Sequence, residues 1–402
     1  LNTFGKLYLQ GVKMGIYAEY LNKGLHGNQL IQERKKQLAA ISKVRGGREV
    51  LTFASALTKG KAPISIDYDD IVPFCDQINN LKGKHIDIIL ETPGGYAEIA
   101  EKIIKYIRGK FEHVAFIIPG FAMSAGTIMV MAGDEILMSP ASALGPIDAQ
   151  LSQQGKRFSA EAFLEGLKAI REEVTKTTVL NKAYIPILQN ISPGEIQAAQ
   201  NALDFSKILV RDWLSQYKFQ NWDTHSTTGK PVTDGDKKKR AAEIAKELCD
   251  HNKWKTHGRA IGIDDLRAMK LKITDYTENT ALSDAIQRYF ILLKMTFDET
   301  SIFKIYETPT SQIYRHTPIQ NVINKGQPQQ SPDSIQVSVQ CPKCKANINL
   351  QVDFKQGIPT KQGFMKIPKE DKVQCSSCKN DVDVVNLKRG LEGQFKKKIV
   401  YV

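Results

Sequence analysis

Ile86-Asp-Ile-Ile-Leu-Glu-Thr-Pro-Gly-Gly95 and Phe121-Ala-Met-Ser-Ala-Gly-Thr127 are the two stretches that decide how the chain is read. The first is a β-branched run that stops at a proline and a glycine pair. It predicts a buried strand ending in a bend whose backbone N–H groups lie open to a ligand. From Tyr96 to Lys110, Ile99, Ile103, Ile104 and Ile107 recur at helical spacing, and basic residues gather near the end, where the helix dipole favours them. Val114 to Ile118 is a second strand, closed by Pro119-Gly120. Ser124 then stands among small residues at the entrance of a helix expected to run to about Ala132, beside open N–H groups and the positive end of the dipole. Glu135 to Met138 gives a third strand, and Ser139 to Pro146 is a loop, so two loops face one another across neighbouring strand ends.

A serine hydroxyl attacks a carbonyl only when a base takes its proton and donors receive the oxyanion that forms. The candidate donors are the N–H groups of Gly95 and of Ala125, the residue after the serine. A serine between strand and helix also serves as a plain N-cap. The Pro-Gly-Gly bend favours the nucleophile.

With Gly133-Asp-Glu-Ile-Leu-Met-Ser-Pro140 and Leu144-Gly-Pro-Ile-Asp148 added, these motifs resemble the ClpP/crotonase superfamily. Within it the chain resembles the signal peptide peptidase A-like serine peptidases, above all the serine dehydrogenase proteinases, from about Arg34 to Thr280. The resemblance implies an α/β spiral of parallel strands and crossover helices. It also implies a homo-oligomer whose sites lie in a chamber admitting unfolded chains.

The base is less plain. The histidine that follows the serine in the Clp proteolytic subunit has no counterpart near Leu144 to Asp148. In the signal peptide peptidase branch a lysine does this work, shortly before a capped helix that opens like Ile191-Ser-Pro-Gly-Glu195. Reading back from that cap gives Lys182, whose neighbours Ala183, Tyr184, Ile185 and Pro186 are mainly apolar, as a neutral amine requires. Lys176 and Lys168 are alternatives, and His257 and His225 stand behind them. Asp148 and Asp134 read as turn or strand-end residues.

The chain has 402 residues, 42% of them apolar, enough for two or three units, and a formal net charge of +13. That charge suits a polyanion partner without identifying one, since no recognition-helix motif accompanies it. No uncharged apolar run is long enough for a bilayer span, and Leu1 to Tyr20 lacks a signal-peptide core. A cytoplasmic location is therefore expected. Leu1 leaves the start open, with Met14 as an alternative.

Residues 1–47 are expected to be a helical arm, with Asn28 to Val44 amphipathic, and 48–306 the peptidase domain. Helices are expected at Ser159 to Thr178, from Ser192 to about Tyr217 and at Asp234 to Asp250, and Leu282 to Tyr306 as a helix with a following strand. Pro, Gln, Asn, Thr and Ser dominate 307–335, expected as a linker. In 336–402, Cys341-Pro-Lys-Cys344 and Cys375-Ser-Ser-Cys378 are two knuckles whose thiolates complete a closed tetrahedron for structural zinc. Strands at Ala346 to Phe354 and Phe364 to Val373, with Val382 to Ile399 completing the sheet, would make a zinc ribbon. Two disulfides are the rival pairing. The ribbon's lysines suit a protein or nucleic-acid partner.

These readings combine into a soluble serine endopeptidase with a Ser124–Lys182 dyad, acting on extended or unfolded polypeptides. A crotonase-like acyl-CoA enzyme and a catalytically inactive scaffold, targeted by the ribbon, are the alternatives.

Overall fold

The computed structural model describes residues 15–317 except 154, 226 and 227, and residues 332–401 except 396. The chain divides into two units, Leu1–Ile319 and Gln320–Val402.

In the first unit, α1 (Ile16–Lys23) and α2 (Asn28–Val44) precede β1 (Glu49–Ser55). A 3-10 turn at Tyr68–Asp70, capped by Asp67, leads into α3 (Ile71–Asn79). The core run is β2 (His85–Glu91), α4 (Ala97–Lys110), β3 (His113–Ile118), β4 (Phe121–Ala122), α5 (Ala125–Val130), β5 (Glu135–Met138) and β6 (Ala143–Leu144). A hairpin of β7 (Gln150–Gln153) and β8 (Lys156–Ser159) opens the helical part: α6 (Ala160–Thr177), α7 (Ile185–Leu188), α8 (Pro193–Trp213), α9 (Asp234–Cys249), α10 (His251–Trp254) and α11 (Ile263–Ala268). The chain then returns through β9 (Thr274–Asp275) and α12 (Thr280–Glu299) to β10 (Ile302–Glu307) and β11 (Gln312–His316).

The main sheet has the order β11-β10-β1-β2-β3-β5-β9. From β1 to β9 neighbouring strands are parallel, while β10 and β11 are added antiparallel at one edge. Burial on both faces explains why β2 and β3 are nearly continuous apolar runs. Ile86, Ile88 and Leu90 pack with α3 and α4 on one face, and Ile89 packs with α2 and α12 on the other. This is the parallel α/β arrangement that the family resemblance implies. Two helix starts follow their caps: Ser159 accepts the Ala162 N–H, and Ser192 and Glu195 form a reciprocal capping box.

Three boundaries differ from expectation. The amphipathic helix at 28–44, expected within a separate arm of residues 1–47, packs on the main unit: Arg34 is fully buried and its guanidinium donates to Glu307 at 2.9 and 3.1 Å and to Tyr314 at 2.6 Å. Residues 1–14 of the expected arm lie outside the described residues. The expected linker starts too early, because Gln312–His316 pairs with β10 and widens the sheet. Its partner is only four residues upstream, but the strand is short, largely polar and part-exposed, so local composition did not reveal it. Residues 318–331 of that linker are outside the described part.

The second unit contains β12 (Ser334–Gln340), β13 (Asn347–Asp353), β14 (Met365–Lys366), β15 (Lys372–Gln374), β16 (Asp381–Asp383) and α13 (Val385–Phe395). The third difference is here: most of the segment expected to complete the sheet is α13, whose Leu391 and Leu387 pack on the small core of Ile348, Leu350 and Val352.

Candidate active site

Residues from three loops meet at the C-terminal ends of the parallel strands. Thr92 N–H donates to Phe121 O at 2.8 Å and Met123 N–H to Thr92 O at 3.0 Å, so the bend after β2 and the loop after β3 are stitched together. Glu91, buried at the end of β2, accepts the Phe121 N–H at 2.8 Å and an ion pair from Lys294 at 2.6 Å. Burial raises the pKa of that carboxyl. Thr127 accepts the Gly145 N–H at 2.9 Å and donates to Ala122 O at 2.8 Å, tying α5 to the third loop.

Ser124 occupies φ 52°, ψ −116°, a strained conformation for a residue with a side chain, and a state of this kind costs on the order of 1–3 kcal/mol. It stands at the N-cap of α5 yet makes no capping hydrogen bond with its side chain. The plain cap reading therefore fails. The hydroxyl is left free above the bend.

Gly94 and Gly95 are required by contact and by conformation. A Cβ on Gly94, at φ 93°, would lie 2.7 Å from Ser124 Cβ and 2.6 Å from Met123 O. On Gly95, at φ 154°, it would lie 2.2 Å from Ile66 O. Ile66 N–H donates to Gly94 O at 2.7 Å and Tyr96 N–H to Ile66 O at 3.0 Å. Along an extended chain successive peptide groups alternate in direction, so the Gly95 N–H and carbonyl face away from Ile66. Among the described residues, neither the Gly95 nor the Ala125 N–H enters a turn or loop hydrogen bond.

The cleft over Ser124 encloses about 490 Å³ and is lined by Gly95, Ser124, Ala125, Ile128, Ile147 and Phe205 among others. Among its described lining residues there is no lysine or histidine, and its carboxylate, Glu98, is exposed at the rim. Lys182 lies elsewhere. The Ala160 N–H at the start of α6 bonds to the carbonyl of Ala149, a cleft residue, and the helix then runs eighteen residues, about 27 Å, before the turn that carries Lys182. The return helix α8 comes to the cleft only at Ala202, Phe205 and Ser206. Lys182 is exposed on a 3-10 turn, and its apolar neighbours are exposed too, Val179 by 66% and Ile187 by 50%. Those neighbours, expected from the sequence to bury the amine, are themselves exposed among the described residues of one chain. Lys168 and Lys176 are also exposed on α6.

The histidines lie off the cleft. His257 Nδ1 is 2.6 Å and His251 Nδ1 3.4 Å from the buried carboxylate of Asp148, which also accepts from Gln150 at 3.0 Å. Asp148 is thus an anchor shared by two histidines behind Ile147 and Ala149, beyond the turn role expected. His225 packs edge-on against Trp222 at 5.2 Å. Asp134 sits at the opposite end of the sheet, bound by Arg108 at 2.8 Å and by the Val114 N–H at 2.7 Å.

In the second unit the Sγ atoms of Cys341, Cys344, Cys375 and Cys378 lie within 4.8 Å of one another, with Cys341 to Cys378 and Cys344 to Cys375 both at 3.6 Å. A tetrahedral zinc with bonds of about 2.3 Å separates its sulfurs by about 3.8 Å. The two knuckles repeat one geometry: Lys345 and Lys379 have φ near 60°, and each donates its N–H back to the first cysteine carbonyl at 2.9 Å. The N–H groups of Cys378 and Ser377 pull the Cys375 thiol down to about 6. The donor set fits a metal that prefers thiolate. Sequence spacing singles out the same four cysteines.

A parallel α/β sheet that carries a strained serine packed on a diglycine bend is the frame against which the comparisons are set. The profile of the ClpP-like SDH-type serine proteinases matches residues 20–284, and the chain belongs to that family. Two uncharacterised proteins of Methanocaldococcus jannaschii are similar. MJ0137 is 42% identical over 172 residues, which are 42% of this chain and 53% of that protein. MJ1495 is 35% identical over 188 residues, 47% of this chain and 51% of that protein. The chain spans about half the length of these curated relatives. Among solved structures, a serine-to-alanine mutant of the 1510-N membrane-bound stomatin-specific protease is 16% identical with a TM-score of 0.30, covering 55% of this chain and 80% of that one. A lysine-to-alanine mutant of the same protease with a substrate peptide is 17% identical with a TM-score of 0.29, covering 51% and 66%. No helix of the described residues is long and apolar enough to cross a membrane.

Proposed function

We propose that the chain is a serine endopeptidase acting on extended or unfolded polypeptides. Ser124 attacks the peptide carbonyl, the Gly95 and Ala125 N–H groups receive the oxyanion, and Lys182 takes the proton and returns it to the leaving amine. The observation that carries this reading is the strained Ser124, uncapped and pressed on a bend whose outward N–H is open. The outward edge of Gly95 suits a substrate added as a strand.

One chain does not bring Lys182 to Ser124. We place it there from a second copy: the tip of the α6–α8 hairpin would enter the neighbour's cleft and bury Val179, Leu180 and Ile187 around the amine. Structural zinc in the four-cysteine site would hold the ribbon, whose core is small. The ribbon's partner, protein or nucleic acid, and a cytoplasmic location belong to the same proposal.

A fluorophosphonate probe tests the nucleophile. Labelling at Ser124, lost in Ser124→Ala, is expected; a folded, zinc-loaded assembly without labelling would favour the scaffold, and thioester turnover the acyl-CoA enzyme. For the base, Ser124→Ala and Lys182→Ala are each expected to be inactive and to regain hydrolysis when co-assembled. Full activity of Lys182→Ala would move the base to another group. Chelating the metal is expected to unfold the ribbon, seen as loss of amide protection in 334–395, with the first unit intact.

A further inference from the structure

Lys304 is fully buried in β10, in the otherwise apolar stretch Ile302-Phe-Lys-Ile-Tyr306. Its amine donates to Ser65 O at 2.7 Å and to Asp70 Oδ1 at 2.7 Å, and lies 3.5 Å from Asp67. Asp70 is itself fully buried; it accepts the Asp67 N–H at 2.8 Å and the Tyr306 hydroxyl. Arg315, which faces Lys304 across the β10–β11 pair, donates to Asp69 at 2.7 Å. The β10–β11 hairpin therefore grips the segment 65–70 through two cations. Both lie beyond the residues that the family profile matches.

That segment is what the diglycine bend leans on. Ile66 holds Gly94 O and the Tyr96 N–H, one on each side of Gly95, and its carbonyl leaves no space for a Cβ there. Burying an ammonium and a carboxylate costs several kcal/mol apiece before their attraction is counted, and an apolar pair would pack as well. Aiming the ammonium at one backbone carbonyl fixes a position, which packing alone does less sharply. A displacement of about 1 Å in catalytic geometry costs up to about 100-fold in rate.

We infer that Lys304, with Asp70 as its counterion, is a positioning residue for the Gly95 N–H: it fixes Ser65 O, hence the Ile66 strap, hence the bend. The inference rests on Gly95 as oxyanion donor, and its test separates the two.

In the full chain, Lys304→Met with Asp70→Asn removes both buried charges together. Two readouts apply: amide exchange in 92–98 relative to β2, and kcat against KM on an unfolded polypeptide. The expected result is faster exchange of the Tyr96 amide with β2 still protected, and kcat lower by about 10- to 100-fold with KM within about twofold. Arg315→Gln, on a part-exposed side chain, should show the same pattern more weakly, and it decides the matter if the double variant does not fold. Unchanged protection of 92–98 together with unchanged kcat in the folded variant overturns the inference. If Tyr96 protection falls while wild-type Ser124 proves inert to the probe, positioning of the bend stands and the peptidase reading fails.

Discussion

The two ends of the main sheet treat polar groups in opposite ways. At the N-terminal strand ends, charges meet in ion pairs: Asp87 receives Arg45 at 2.7 Å and Arg48 at 2.5 Å, Arg45 also reaches Glu135, and Asp134 receives Arg108. Lys218 lies in this cluster, its amine 3.1 Å from Asp134 O, and burial pushes its pKa down to about 8. At the C-terminal strand ends, backbone N–H groups stay open and Ser124 is held in strain. The lysine with the titration expected of a general base is thus a strand length, about 20 Å, from the hydroxyl that needs one. Desolvation prepares an amine for catalysis only where geometry brings it to the proton.

Substitutions at each end sharpen that contrast. The largest effect is expected for Ser124→Ala, with peptide hydrolysis down at least about 10³-fold in a progress-curve assay. Ser124→Gly should be equally inactive yet more stable, by about 1–3 kcal/mol, because glycine accepts the positive φ at less cost. Gly95→Ala should lower kcat by about 10²- to 10³-fold, since a displaced bend loses one oxyanion donor. At the other end, Asp87→Ala leaves two arginines without their buried partner and should cost about 3 kcal/mol in denaturant unfolding, while kcat per folded molecule stays unchanged.

The smallest effect belongs to Lys218→Met. Its folded pKa lies below the unfolded value of 10.5, so the charged amine costs stability below pH 8, and that cost fades as pH rises from about 8 to 10.5. A gain of about 1–3 kcal/mol at pH 7 is expected, shrinking toward pH 10, with activity intact. Loss of activity in this variant, without unfolding, would break the distinction between the two ends.

Much of this was legible in the residues. Strand, bend and serine could be read because each is a local signal: a β-branched run, a glycine pair, small residues at a helix start. The cysteine knuckles are equally local. What escaped carries no comparably strong local signal. The Gln312–His316 strand is short and polar and exists through its pairing with β10, and Val385–Phe395 could not be told from a strand by its apolar content. Lys304 did carry a signal, a lone cation in an apolar strand, but its target at Ser65 lies 239 residues away. Lys182 shows the limit most plainly: an apolar neighbourhood in sequence is exposed in space.

The central claim is that Ser124 and the open N–H groups of Gly95 and Ala125 form one reaction centre. A crystal structure of the assembled protein with a peptide boronate tests it most directly. The account predicts boron bonded to Ser124 Oγ, with one boronate oxygen about 3 Å from both nitrogens. An adduct on another residue, or one at Ser124 with that oxygen turned away from the bend, would contradict it.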